Sequence, residues 1–100
     1  MKSKARKITK QKKEAWRKAV KENWDNKCAK CNKTEHLDTH HVSYRKELKY
    51  NPDIGILLCK SCHKLGHGSA HKEAIIFYKW FSEEYPKKYD KMLKLIEEAQ

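Results

Sequence analysis

Along this 100-residue chain the spacing of the apolar positions changes several times, and each change predicts a different element. Ala15, Trp16, Ala19 and Val20 recur at helical intervals, which predicts a helix over roughly Thr9 to Asn23 with one apolar stripe. Asp25 and Asn26 break that pattern ahead of Cys28, and Asn32 to Thr34 read as turn residues after Cys31. Leu37 to Tyr44 is a plausible strand, and the short apolar run Ile54 to Leu58 can pair with it, leaving Arg45 to Asp53 as a polar, basic loop. After Cys62 the chain can coil into a short helix that Gly66 and Gly68 would end. Ile76, Phe77, Trp80 and Phe81 then mark one amphipathic helix, and Tyr89, Met92, Leu93 and Ile96 mark a second that begins near Pro86. These aromatic stripes are expected to serve the core rather than base stacking. The pattern predicts an α+β domain: a hairpin between cysteine knuckles, flanked by N- and C-terminal helices.

Charge narrows the class of partner. Lys and Arg number 24 against 13 Asp and Glu, a formal net charge of +11, which favours a polyanion such as nucleic acid. The excess is uneven, because residues 1–21 hold ten Lys or Arg and a single acid, Glu14. That segment reads as a phosphate-binding arm. No apolar stretch approaches the roughly 20 residues of a membrane span, and the basic N-terminus does not lead into a secretory signal. The expected location is therefore a reducing, cytoplasmic interior, where paired thiols serve as metal ligands more often than as disulfides. A chain this short also tends to need a staple beyond its core.

The cysteines supply that staple. Cys28 and Cys31 form one C-x-x-C and Cys59 and Cys62 a second, with 27 residues between the pairs. Four thiolates from two tight knuckles satisfy the tetrahedral coordination of structural zinc, and such a closed site folds a domain rather than catalysing. A thioredoxin-like βαβ pattern, which would favour redox chemistry, is missing. The histidines then need another role. His63 and His67, four residues apart, project from one face of a helical turn and can chelate a metal. His40 and His41 are neighbours on a strand, where successive side chains point to opposite faces, so they cannot share one role. One of the two can join His63 and His67 as a third ligand while the other points into the groove where a phosphate would lie. His36 is expected in a turn or at the surface; His71 could approach the site, but its expected place is the surface.

"CAKC", "LDTHHVSY" and "LLCKSCHKLGH", in this order and at these distances, resemble the zinc-ribbon branch of the HNH endonucleases, whose site is a ββα-metal motif. The similarity covers roughly Trp16 to His67. It implies a single domain over residues 1–100, with a basic arm and helix (1–23), knuckles and ββα-metal motif (24–68) and C-terminal helices (69–100). By position it implies His41 as general base, His40 as the preceding metal ligand, and His63 and His67 as ligands on the motif helix. One place departs from the family: its middle Asn corresponds to Ile54, so that residue's bracing of the loop has either passed to Asp53 or Asn51 or is missing. The stretch "FYKWFSEEYPKKYDKMLKL" is loosely similar to tails on phage-encoded nucleases of this type, which would place the protein in the cytoplasm of a bacterial host.

The resemblance implies metal-dependent hydrolysis of DNA to 5′-phosphate and 3′-hydroxyl ends, with structural Zn²⁺ and one catalytic divalent cation drawn from Mn²⁺, Ni²⁺, Co²⁺, Zn²⁺ or Mg²⁺. Imidazole ligands favour the first four over Mg²⁺. Lys10, Lys13 and Arg17 in the first helix, with Arg45, Lys46 and Lys49 in the loop, are expected to hold phosphates on both sides of the cut. Backbone contacts of that kind position without reading sequence, so the expected partner is double-stranded DNA with little sequence specificity. No membrane is expected as a partner; a partner protein is compatible with this reading, as is a monomer or a homodimer. Two rivals remain: a zinc-ribbon binding module without cleavage, and an accessory subunit whose C-terminal helices dock on a phage or recombination complex.

Overall fold

A computed structural model of the chain describes residues 2–45, 48–66 and 68–99, with side chains from Lys10 onward apart from Leu65. Helix α1 spans Lys2–Asn23. It begins seven residues ahead of the expected start, because Lys, Ala and Arg are good helix formers and nothing upstream of Thr9 breaks the turn. Strand β1 (Leu37–His41) and strand β2 (Gly55–Cys59) form a two-stranded antiparallel sheet. Its register pairs Leu37 with Cys59, His40 with Ile56 and His41 with Gly55. β1 is shorter than expected: Val42 N–H still reaches the Ile54 carbonyl (3.1 Å), and then the inter-strand segment diverges. A 3₁₀ turn over Pro52–Ile54 leads into β2, and a π-helical turn over Ser61–Leu65 follows it, closed at Gly66. Helices α2 (Ala74–Glu84) and α3 (Pro86–Glu98) complete the chain. The result is a small α+β fold.

Helix α1 lies close over one face of the sheet. Trp16 and Val20 are buried, and they approach Gly55 so tightly that an added Cβ would stand 2.4 Å from Val20 Cγ2 and 2.9 Å from Trp16 Cζ2. Only glycine permits that approach. Two of the three indoles are also pinned: Trp16 Nε1–H donates to the Asn51 carbonyl and Trp24 Nε1–H, just past the helix, to that of Gly55, each at 3.0 Å. The opposite face meets α2, whose Phe77 and Phe81 are fully buried with Met92 of α3 close behind in the same core. Here the expected stripes narrow. Ile76 is exposed although it was expected inward, as is Leu93 on α3, because the i, i+4 pair Phe77 and Phe81 already fills the contact with aromatic bulk. Among the described residues no helix is long and apolar enough to cross a membrane.

Candidate metal centre and basic cleft

The two C-x-x-C knuckles converge from distant parts of the chain. In the first, Asn32 adopts a left-handed conformation (φ 64°) that lets its N–H return to the Cys28 carbonyl at 3.0 Å, while Cys28 N–H donates to Lys33 at 2.8 Å. Ala29 N–H then bonds the Leu57 carbonyl of β2 (2.8 Å), and Tyr85 Oη–H donates to the Ala29 carbonyl (2.6 Å), so the knuckle is held between the sheet and the α2–α3 junction. The four thiol sulfurs lie within 4.8 Å of one another, Cys31 Sγ and Cys59 Sγ at 3.5 Å. Sulfurs around a tetrahedral zinc stand roughly 3.8 Å apart, given Zn–S bonds of about 2.3 Å. The cluster is thus compatible with a structural ion such as zinc. Its charges are uneven. Burial raises the Cys28 thiol, but the backbone at Cys31, Cys59 and Lys30 outweighs it and brings the group down to about 7. Burial holds Cys31 and Cys62 up, the latter helped by Cys59. Sulfurs this close resist ionising together unless a cation shares their charge.

A second cluster is built from imidazoles. His40 comes from β1, His63 from the π-helical turn and His71 from the turn before α2, and each offers a nitrogen within 4.8 Å of the others. His40 Nδ1 and His63 Nε2 are 3.1 Å apart, near the roughly 3.3 Å that two imidazole nitrogens take around a tetrahedral zinc. The fold fixes His71 beside His63 through the backbone: His71 N–H donates to the His63 carbonyl (2.9 Å) and Ala70 N–H to that of Cys62 (3.0 Å). Two further groups hold the far sides of the rings. Asp38, on the same face of β1 as His40, meets His63 Nδ1 at 3.2 Å, and the Tyr78 hydroxyl of α2 meets His40 Nε2 at 2.8 Å. Metal-binding imidazoles characteristically have such partners. Burial, reinforced by the neighbouring His63 and His71, pulls the His40 pKa down to about 3. Burial lowers His63 as well, although Asp38 pulls the other way. Neutral rings are the form that binds a cation.

Among the described residues the third imidazole of the cluster is His71. His67, expected to chelate with His63, lies outside the described residues, as does Lys46. His71, expected at the surface, is indeed exposed, yet its ring centroid is 4.5 Å from that of His63 and 5.2 Å from that of His40. No sequence spacing announced it, because a loop rather than a helical turn brings it back onto His63. Neither partner was singled out in the sequence: strand alternation could have found Asp38, two residues before His40, whereas no spacing marks Tyr78.

His41 points to the other face of β1, as strand alternation requires. Its ring lies stacked on Trp16, with centroids 4.0 Å apart and planes 11° off parallel, and Tyr44, 66% exposed, stacks on it at 4.8 Å. Among the described residues, its Nε2 is buried without a hydrogen-bond partner. Burial lowers its pKa, and the cations of Lys49, Lys13 and Arg17 add to this against an opposing backbone contact at Lys49. The ring borders a cleft of about 470 Å³ lined by Lys13, Arg17, Thr39, Lys49, Tyr50 and Lys64 as well as Tyr44. A second cleft, along β1, is lined by Asp38, His63 and Lys21 and shares Arg17, Thr39 and Lys64 with the first. The expected phosphate-binding residues therefore divide. Lys13, Arg17 and Lys49 gather around His41, whereas Lys10 and Arg45 are exposed without lining either cleft. Lys64 and Lys21, not singled out in the sequence, line the clefts instead.

Comparison with protein-family models, curated proteins and solved structures finds no match. The two side-chain clusters by themselves point to a metal-binding domain.

Proposed function

We propose that this chain is a metal-dependent DNA endonuclease of the HNH type, hydrolysing phosphodiester bonds to 5′-phosphate and 3′-hydroxyl ends. The observation that carries the reading is the meeting of two clefts at Arg17, Thr39 and Lys64, one reaching the imidazole cluster at His63 and the other reaching His41. A phosphodiester laid across that junction has cation ligands on one side and an unprotonated histidine on the other. A divalent cation held by His40, His63 and His71 would supply Lewis-acid stabilisation of charge on the phosphate and the departing 3′ oxygen. Lys13, Arg17, Lys49 and Lys64 bind flanking phosphates and orient the strand. Neutral His41 takes a proton from the attacking water, an assistance typically worth about 10²- to 10⁴-fold. Trp16 holds that ring flat, and Trp16 is itself anchored on the Asn51 carbonyl. Asn51 also braces the inter-strand loop, its Oδ1 accepting from Asp53 N–H at 2.9 Å. It is thus the better substitute for the family's middle Asn, since Asp53 turns outward to Lys91 (3.3 Å) and Ile54 has become core.

A second reading, a nucleic-acid-binding module without cleavage, is favoured by one specific feature: Nε2 of His41 is sealed. If Nε2 is the nitrogen that takes the proton, the side chains around it have to move to admit water. Nicking of supercoiled plasmid across Mn²⁺, Ni²⁺, Co²⁺, Zn²⁺ and Mg²⁺, with a chelator control, separates the two. The nuclease reading expects metal-dependent nicking that His41→Ala reduces at least about 10²-fold, with cation and DNA binding retained. Wild-type protein that binds DNA tightly yet leaves it intact with every metal would establish the binding module instead.

A further inference from the structure

The imidazole cluster ends in a carboxylate on one side and a phenol on the other, and those ends dictate where its protons sit. Asp38 is an acceptor, so His63 Nδ1–H donates to it at 3.2 Å. A neutral ring then leaves His63 Nε2 as an acceptor. That nitrogen stands 3.1 Å from His40 Nδ1, which must therefore carry the hydrogen. His40 Nε2 is left bare and accepts from the Tyr78 hydroxyl at 2.8 Å. The hydrogen bonds thus run in one direction, from Tyr78 through His40 and His63 to Asp38.

A bound cation cannot leave that chain unchanged, because it takes only unprotonated nitrogens. His63 Nε2 is already bare. His40 Nδ1 is not: to face the cation it must give up its proton while Nε2 acquires one, so the ring stays neutral and its tautomer reverses. The new N–H points at Tyr78. A hydroxyl can answer by rotating from donor to acceptor, which an ammonium or an indole in its place could not do. We infer that Tyr78 is the positioning residue of the cation site, its hydroxyl reversing with His40 when a late first-row dication such as Zn²⁺ or Co²⁺ binds.

One further contact supports this role: the Tyr78 ring is held edge-on to Phe77, centroids 5.0 Å apart, which fixes the oxygen against His40. Helix α2 would then belong to the site rather than merely cover it. The inference rests on the imidazole cluster as a cation site, and its readout does not involve cleavage.

The test uses full-length protein with zinc at the cysteines, titrated with Co²⁺ by visible absorption and calorimetry. Tyr78→Phe keeps the ring and removes only the hydroxyl. It should weaken Co²⁺ binding by about 10- to 100-fold, the usual size of losing an outer partner, while the cysteine zinc stays in place. Nitrogen-15 NMR of wild-type protein should show His40 protonated at Nδ1 before Zn²⁺ is added to the imidazole cluster, and at Nε2 afterwards. Unchanged Co²⁺ affinity in Tyr78→Phe, or a metal-free His40 already protonated at Nε2, would overturn the inference. If the variant does not fold, the wild-type spectra decide alone.

Discussion

The cysteine and histidine clusters sit one residue apart in sequence, at Cys62 and His63, yet they are built differently. Four thiols close around a point and leave no position for a substrate. Three imidazoles leave a tetrahedral centre one ligand short, and their cleft carries Arg17, Lys21 and Lys64. The thiol cluster is held by backbone: knuckle turns, the Ala29–Leu57 bond and the Tyr85 anchor. The imidazoles have backbone support too, His71 N–H on the His63 carbonyl, but their ring nitrogens are met by side chains, Asp38 and Tyr78. A cation shared by sulfurs from two distant knuckles ties the chain together, whereas one held on prepositioned rings leaves the fold much as it was. On the function proposed above, metal ligation divides here into a structural task and a chemical one.

The sharpest break of that contrast is Cys59→Ser. Zinc bound by such knuckles contributes on the order of 10 kcal/mol to folding in comparable peptides, so this variant should lose its zinc and its cooperative melting transition, or become insoluble. His63→Ala should instead keep about one zinc per chain, retain a melting transition and lose the second cation. Metal analysis with thermal melting checks both. Cys59→Ser melting like wild type would remove the structural task from the cysteines.

Acidity sharpens the contrast at a smaller scale. The folded His40 pKa, lowered to about 3 chiefly by burial, lies below the ordinary imidazole value near 6.5, so the unfolded chain takes the proton first. Its contribution is fully present above about pH 6.5 and is lost as pH falls toward the folded value. Each pH unit in that window costs about 1.4 kcal/mol per histidine so depressed. With zinc at the cysteines and no cation on the imidazoles, the melting temperature should decline between pH 6.5 and 5, less steeply in His40→Gln. Parallel profiles would mean that His40 takes its proton in the folded state.

The smallest effect concerns the charged surroundings. Lys13→Gln and Arg17→Gln should each flatten the slope of log K against log salt for duplex DNA by about 0.9 if each meets one phosphate. Zinc content and melting should not change. Fluorescence anisotropy at several salt concentrations checks this, and an unaltered slope would reduce these residues to solvated charge.

Much of the arrangement was legible along the chain. Helical spacing in Trp16 and Val20, the strand-like run from Leu37 and the two C-x-x-C pairs are short-range patterns whose physics is contained in a few residues. Strand alternation also required His40 and His41 to part, and their neighbours are indeed on opposite sides, Tyr78 on one and Trp16 on the other. What the chain could not announce depends on contacts between elements far apart. Ile76 and Leu93 fit their stripes, but the room beneath them was taken by Phe77, Phe81 and Met92. His71 and Tyr78 reach His40 across more than thirty residues of sequence because a loop and helix α2 fold back over β1. The sequence by itself determined the thiol staple, the charge and the split of the histidine doublet, since period and residue type suffice for those. Only the tertiary structure decided which imidazoles share a site and which hydroxyl serves it, because convergence of distant side chains is a property of packing.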